Sequence, residues 1–191
     1  MRRVLVLAIV VGAFAGTAGC ARSTTAVPTP ALAPAGDAPA DLREAEIYIP
    51  VLQRYLTTPT ENSFPARTFT KIYVLDQAHP DAGDPLGKHE RGTAIALNAQ
   101  HQITAALAQV APVEFIADRK AVIETRDGCP QVRDGGILIT LGTVDGDDSK
   151  AKVAINGFVA CLGATWLTYA LQRDAGSGWR VTGTTGSTGI A

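Results

Sequence analysis

Residues 137–185 read ILITLGTVDGDDSKAKVAINGFVACLGATWLTYALQRDAGSGWRVTGTT, and four strands can be traced through them. Ile137 to Val144 runs into Asp145-Gly146-Asp147-Asp148, a strong turn signal. Lys150 to Val159 alternates apolar and polar residues, and Ala164 to Arg173 does so again. After a turn at Asp174 to Gly178 the chain resumes as Trp179 to Thr185. Successive strands joined by short turns pair antiparallel, so the stretch predicts a four-strand meander. Side chains along a strand point alternately to its two faces. One face then carries Ile137, Ile139, Leu141, Val153, Ile155, Leu167, Tyr169, Leu171, Trp179 and Val181, the expected core. The other carries Thr140, Lys152, Asn156, Phe158, Trp166, Thr168, Thr182 and Thr184, which is mostly polar and should meet water.

The preceding residues supply what covers the apolar face. Asp41 to Thr57 opens with Asp41 and Glu44 in a capping-box-like arrangement and repeats Ala45, Tyr48, Leu52 and Tyr55 at helical spacing. Pro50 inside it should kink or split the helix. Lys71 to Asp76 reads as a strand, and Gln77 to Gly92 as a long polar loop. Asn98 to Val110 reads as a helix presenting Ile103, Leu107 and Val110, stopped by Pro112. Val113 to Ala117 is a further strand, after which Asp118 should cap a short turn. The expected fold is α+β, with two helices on one face of a curved, mainly antiparallel sheet. The order of elements, helix first and long strands last, resembles the cystatin-like and NTF2-like folds, a likeness that carries no function by itself.

The 191 residues are 46% hydrophobic and 18% charged, which suits a globular body rather than a wholly disordered chain. Residues 41–191 suffice for a single α+β domain with its own core. Residues 21–40, ARSTTAVPTPALAPAGDAPA, have no helical or strand period and read as an extended, disordered spacer. The net charge is −1, from 17 basic and 18 acidic residues. A near-neutral chain lacks the basic face that nucleic acid requires, so no nucleic-acid partner is expected.

Residues 1–19 have the grammar of a signal peptide. Arg2 and Arg3 precede the apolar run Val4 to Phe14, and Ala15 to Gly19 is small and flexible. Eleven apolar residues are about half of what a membrane span needs. Ala18-Gly19-Cys20 completes a motif that resembles the lipobox of bacterial lipoproteins, although Thr17 stands where Leu is usual. The resemblance implies cleavage before Cys20, a diacylglyceryl thioether on its sulfur, and acylation of the new amine by a chain such as palmitate. Each buried CH₂ contributes about 0.8 kcal/mol, so two or three chains form a firm anchor. The implied location is the extracytoplasmic face of the cell membrane, with the lipid on Cys20 as the membrane contact. Trp166-Leu167-Thr168-Tyr169, followed by Trp179 to Gly186, resembles uncharacterised actinobacterial secreted lipoproteins, from which no activity can be carried over.

With Cys20 acylated, two thiols remain, Cys129 and Cys161, and an oxidising compartment allows one bridge between them. Closing a loop of about 33 residues would stabilise the fold by roughly 3–4 kcal/mol in the chain-entropy account. Two buried free thiols or a redox pair are the alternatives, though no Cys-x-x-Cys is present.

No catalytic constellation stands out. Gly-x-Ser-x-Gly, Ser-x-x-Lys and P-loop patterns are lacking, and Asp145 to Ser149 fails the EF-hand pattern at its Gly and Glu positions. His79 and His89 share the 76–91 loop with Asp76, Asp81, Asp84 and Glu90, without the spacing of a zinc motif. Neither a metal nor another cofactor is expected. The terminal Gly183 to Gly189 run reads as a strand end followed by a frayed tail. These features favour a non-catalytic binding or envelope-associated domain, with Trp166, Phe158 and Tyr169 as candidate binding residues for a small molecule, glycan or protein. A cell-envelope hydrolase using the His and carboxylate groups of the 76–91 loop is the rival reading.

Overall fold

The computed structural model describes residues 40–62, 64, 69–87 and 90–191. The signal, Cys20, nearly all of the spacer, and His89 lie outside the described residues.

Helix α1 (Ala40–Thr57) is followed by a short α2 (Pro59–Asn62) and strand β1 (Ile72–Leu75). Two-residue strands β2 (Gln77–Ala78) and β3 (Thr93–Ala94) pair with each other. Helix α3 (Leu97–Leu107) leads to β4 (Val113–Ile116) and a hairpin of β5 (Ile123–Arg126) and β6 (Cys129–Val132). The remaining strands are β7 (Ile137–Leu141), the short β8 (Asp145–Gly146), β9 (Lys150–Ala160), β10 (Gly163–Asp174) and β11 (Gly178–Ile190). The main sheet runs β11-β10-β9-β7-β1-β4. Its first four members form the antiparallel meander. Strand β1 pairs parallel with both β4 and β7, and α3 makes the crossover that a parallel β1–β4 pair requires. The fold is therefore α+β with a mainly antiparallel sheet.

Alternation fixes the sides of the sheet. Nine of the ten expected core residues are buried and Val181 is half-buried against them. Helices α1 and α3 cover this face, contributing Tyr48, Val51, Leu52, Tyr55, Ile103 and Leu107. Val110 does not join them: α3 ends at Leu107 and Val110 is 37% exposed. Pro50 does not split α1, which runs on as one element to Thr57.

Two tyrosine hydroxyls find polar partners on this face. Tyr48 donates to the Gly142 carbonyl at 2.9 Å. Tyr55 hydrogen-bonds the buried Thr165 hydroxyl, and this contact explains Gly157: a Cβ there would lie 2.0 Å from the Tyr55 oxygen.

Three features depart from the sequence expectation. The β5–β6 hairpin is additional; it turns at Asp127-Gly128, both with positive φ (53° and 79°), as an Asp-Gly hairpin turn demands. The terminal Thr-Gly run is not frayed. It extends β11, where Gly189 pairs with Trp166 and Ile190 with Thr165, and Ala191 exchanges two 2.9 Å hydrogen bonds with Ala164. Finally, the outer face is only partly open to water. Lys152, Thr182 and Thr184 are exposed, but Thr140, Asn156, Phe158, Trp166 and Thr168 are half-buried. Tyr73, Ile116, Val122, Val132 and Leu138 form a second, smaller apolar cluster, with Phe158 packed against it.

Cys129 and Cys161 are disulfide-bonded, with Cα atoms 5.3 Å apart. The bridge ties the β5–β6 hairpin to the β9–β10 turn, beside a 2.8 Å hydrogen bond from Cys161 N–H to the Pro130 carbonyl.

Candidate functional site

The half-buried strip of the outer face is the floor of a cleft. Register places Thr140 of β7, Asn156 of β9, Trp166 of β10 and Gly189 of β11 in one row across the sheet. Phe158 stands two residues beyond Asn156 on the same face. Gly189 matters by its missing side chain: a Cβ there would sit 3.3 Å from Trp166 Cε3 and 3.4 Å from Pro85 Cγ. The indole edge and Pro85 therefore share the space over one glycine. Beside this row, β11 carries three residues between Thr185 and Gly189 against one on β10, Leu167, between Trp166 and Thr168. Such a bulge bends a strand locally and re-aims its neighbours.

The roof is formed by residues 77–87 together with Glu90 of the 77–92 loop. Its base is closed by β2–β3 pairing, and the His79 N–H donates to the Leu141 carbonyl at 2.7 Å. Successive turns then fold it back. Ala82 N–H reaches the His79 carbonyl, Asp84 N–H the Asp81 carbonyl, and Leu86 N–H the Asp84 carboxylate at 2.9 Å. Gly83 lets the loop touch the sheet, for a Cβ there would lie 2.9 Å from Ala154 Cβ and 3.0 Å from Thr168 Oγ1. Within a stretch that sequence shows only as long and polar, residues 77–87 thus fold into a cover.

Floor and roof enclose about 440 Å³. Leu75, Ala82, Pro85, Ala164, Phe158 and Trp166 supply the apolar wall. His79, Asp81, Asp84 and Glu90 line it from the loop, Arg119 from the turn after β4, and Thr140 and Asn156 from the sheet. Asn156 is fixed by a 3.0 Å hydrogen bond from Nδ2 to the Thr165 carbonyl. His79 Nδ1 lies 3.3 Å from the Glu90 main-chain carbonyl rather than from a carboxylate.

The structure thus brings together two of the three candidate aromatics, Trp166 and Phe158, with much of the 76–91 loop. Tyr169 is separated from them. Three residues along the strand from Trp166, it points to the helix side, has 0% exposure, and donates from its hydroxyl to Glu61 at 2.8 Å. Arg119 is the cleft residue that sequence reasoning missed, because only the crossover through α3 carries β4 and the following turn to this edge.

Around Tyr169 lies the other polar constellation, and it is closed. Arg54 Nε donates to both Glu61 carboxylate oxygens at 3.0 Å, and Tyr169 to one of them. The Arg54 guanidinium is the largest influence holding the Glu61 carboxyl below its ordinary range. Burial, then Glu61, pushes the Tyr169 phenol up. Asn62 donates to the Tyr55 carbonyl at 2.7 Å and accepts from Phe64 N–H at 2.9 Å. These groups satisfy one another and fasten the end of α1 and α2 to the sheet.

Among the described residues, no three His, Cys, Asp or Glu side chains converge closely enough to hold a metal ion. No family model matches the chain, and neither does any curated protein or solved structure.

Proposed function

We propose that the protein is a lipid-anchored domain on the extracytoplasmic face of the membrane that binds its ligand in the cleft between the 77–92 loop and the outer face of the sheet. The cleft carries the binding part of this reading. It combines an apolar wall with a few fixed polar groups, the usual make-up of a small-molecule site, and its volume falls in the ordinary range of about 300–1,000 Å³. The disulfide supports the location, since such bridges persist in oxidising compartments. The anchor rests on the order Arg2-Arg3, apolar run, Ala18-Gly19-Cys20. On this reading residues 21–40 are the tether and residues 41–191 the displayed domain. The expected likeness to cystatin-like and NTF2-like folds rests on a long first helix crossing an antiparallel meander, and it has to accommodate the α3 crossover between parallel strands.

Feeding cells an alkyne-tagged fatty acid tests the anchor. Label should enter the wild type and be absent from Cys20→Ala; equal label on both overturns the anchoring. The rival, an envelope hydrolase, draws on His79, Asp81, Asp84 and Glu90 lining the same cleft. It requires turnover that His79→Ala abolishes.

A further inference from the structure

We propose that the ligand of this cleft is a neutral sugar ring, a step that rests on the binding reading above. A sugar ring has an apolar C–H face and a rim of hydroxyls that both donate and accept. The cleft has the matching division. Trp166 and Phe158 line it with aromatic rings, and the negative quadrupole of such a ring attracts the weakly positive C–H groups of a sugar. The indole is half-buried and lies against the space over Gly189, which limits the conformational freedom lost when a ligand stacks on it.

Acceptors and donors surround this surface. Asp84 spends one carboxylate oxygen on the Leu86 N–H, which fixes its direction and leaves acceptor capacity for hydroxyls. Asn156, anchored through Nδ2 to the Thr165 carbonyl, keeps its amide oxygen and a second N–H for a ligand. Arg119, which lines the cleft from the turn after β4, carries only donors. A flat hydrocarbon would strip these groups of water and return nothing, which penalises it. Charge narrows the class further. Among the described lining residues, the carboxylates of Asp84 and Glu90 outnumber the guanidinium of Arg119, so uronates and sugar phosphates meet net repulsion. Hydroxyl donation to a carboxylate is instead charge-assisted.

The chain has two tryptophans, and only Trp166 lines the cleft; Trp179 is 7% exposed beneath α1. In the full chain carrying Trp179→Phe, emission reports Trp166 alone. Titrations with cellobiose, maltose and N,N′-diacetylchitobiose should change that emission at millimolar concentration for at least one sugar. Digalacturonate should bind at least tenfold more weakly. Asp84→Asn keeps the acceptor for Leu86 N–H and should weaken the responding sugar at least tenfold by calorimetry. Silence from all three neutral sugars, equal binding of digalacturonate, or indifference to Asp84→Asn overturns the proposal. Tetramethylammonium is the control that separates the two levels. If it perturbs Trp166 while the sugars do not, the cleft binds and the sugar class is wrong. If no probe perturbs Trp166, both readings fall.

Discussion

Trp166 and Tyr169 sit three residues apart on one strand and live in opposite worlds. Tyr169 faces α1, has 0% exposure, and ties its hydroxyl to Glu61. Trp166 faces the 77–92 loop, is half-buried, and borders the cleft. The helix side of the sheet is filled by interlocking side chains, and the Tyr48, Tyr55 and Tyr169 hydroxyls find partners within it, while Trp179 Nε1 is buried without one. The loop side is covered by backbone turns that touch the sheet at Gly83 and Pro85 and leave space between. Side chains interdigitate and close a face; a loop tied down at a few points roofs it and leaves a hollow. The main core lies on one surface and the cleft on the other.

Truncating the two aromatics should separate these roles most sharply. Tyr169→Ala opens a cavity in the core and strands Glu61 from one partner, and should lower unfolding free energy by about 3–5 kcal/mol in urea titrations. Trp166→Ala, half-exposed already, should cost no more than about 1–2 kcal/mol in the same titration while removing ligand binding. A larger loss from Trp166→Ala than from Tyr169→Ala would put the core on the wrong side of the sheet.

Adding a methyl group is a finer probe of the same contrast. Gly157→Ala drives a Cβ to within 2.0 Å of the Tyr55 hydroxyl, in an interior that cannot give way cheaply. It should destabilise by about 1–3 kcal/mol, with the loss reduced when Tyr55→Phe removes the clashing oxygen. On the loop side, Gly83→Ala meets Ala154 at 2.9 Å, but the loop can lift. The expected change there is a faster amide hydrogen exchange over residues 79–87, with a smaller loss of global stability.

The smallest effect concerns pH. Arg54 holds the folded Glu61 carboxyl below its ordinary range, so over the interval between the folded and unfolded values the unfolded chain binds more protons. The stabilisation is complete above the ordinary carboxylate range and is lost as pH falls through it toward the folded value. Glu61→Gln should therefore be less stable than the wild type at pH 6, by about 1 kcal/mol or less, and the two should converge in strong acid. A gap that widens on acidification would reverse the assigned sign.

How much of this the sequence discloses follows from the reach of each signal. Period-two alternation from Ile137 to Val181 assigned the core face residue by residue, because alternation is local and strict. The same parity separates Tyr169 from Trp166, and grouping all three aromatics as ligand contacts overlooked it. Asp127-Gly128 is a hairpin turn in plain view, passed over because Pro130 and the charged flanks dilute the strand signal around it. The parallel pairing of β1 with β4 and β7 and the settling of residues 77–87 onto the sheet at Ala154, Thr168 and Gly189 are long-range events. No nearby pattern encodes them, so the outer face read as open to water when half of it is roofed. Large aromatics on an otherwise polar face single out Trp166 and Phe158, which line the cleft; Arg119 lines it too but carries no such signal, because its place depends on the crossover.

Acrylamide quenching of the two single-tryptophan variants tests the division of the sheet most directly. Trp166, left in Trp179→Phe, should be quenched several-fold more strongly than Trp179 left in Trp166→Phe, and Gly83→Ala should raise the Trp166 value further while leaving Trp179 unchanged. Equal protection of both tryptophans, or greater access to Trp179, would mean that the loop seals the sheet as the helices do and that there is no cleft to bind anything.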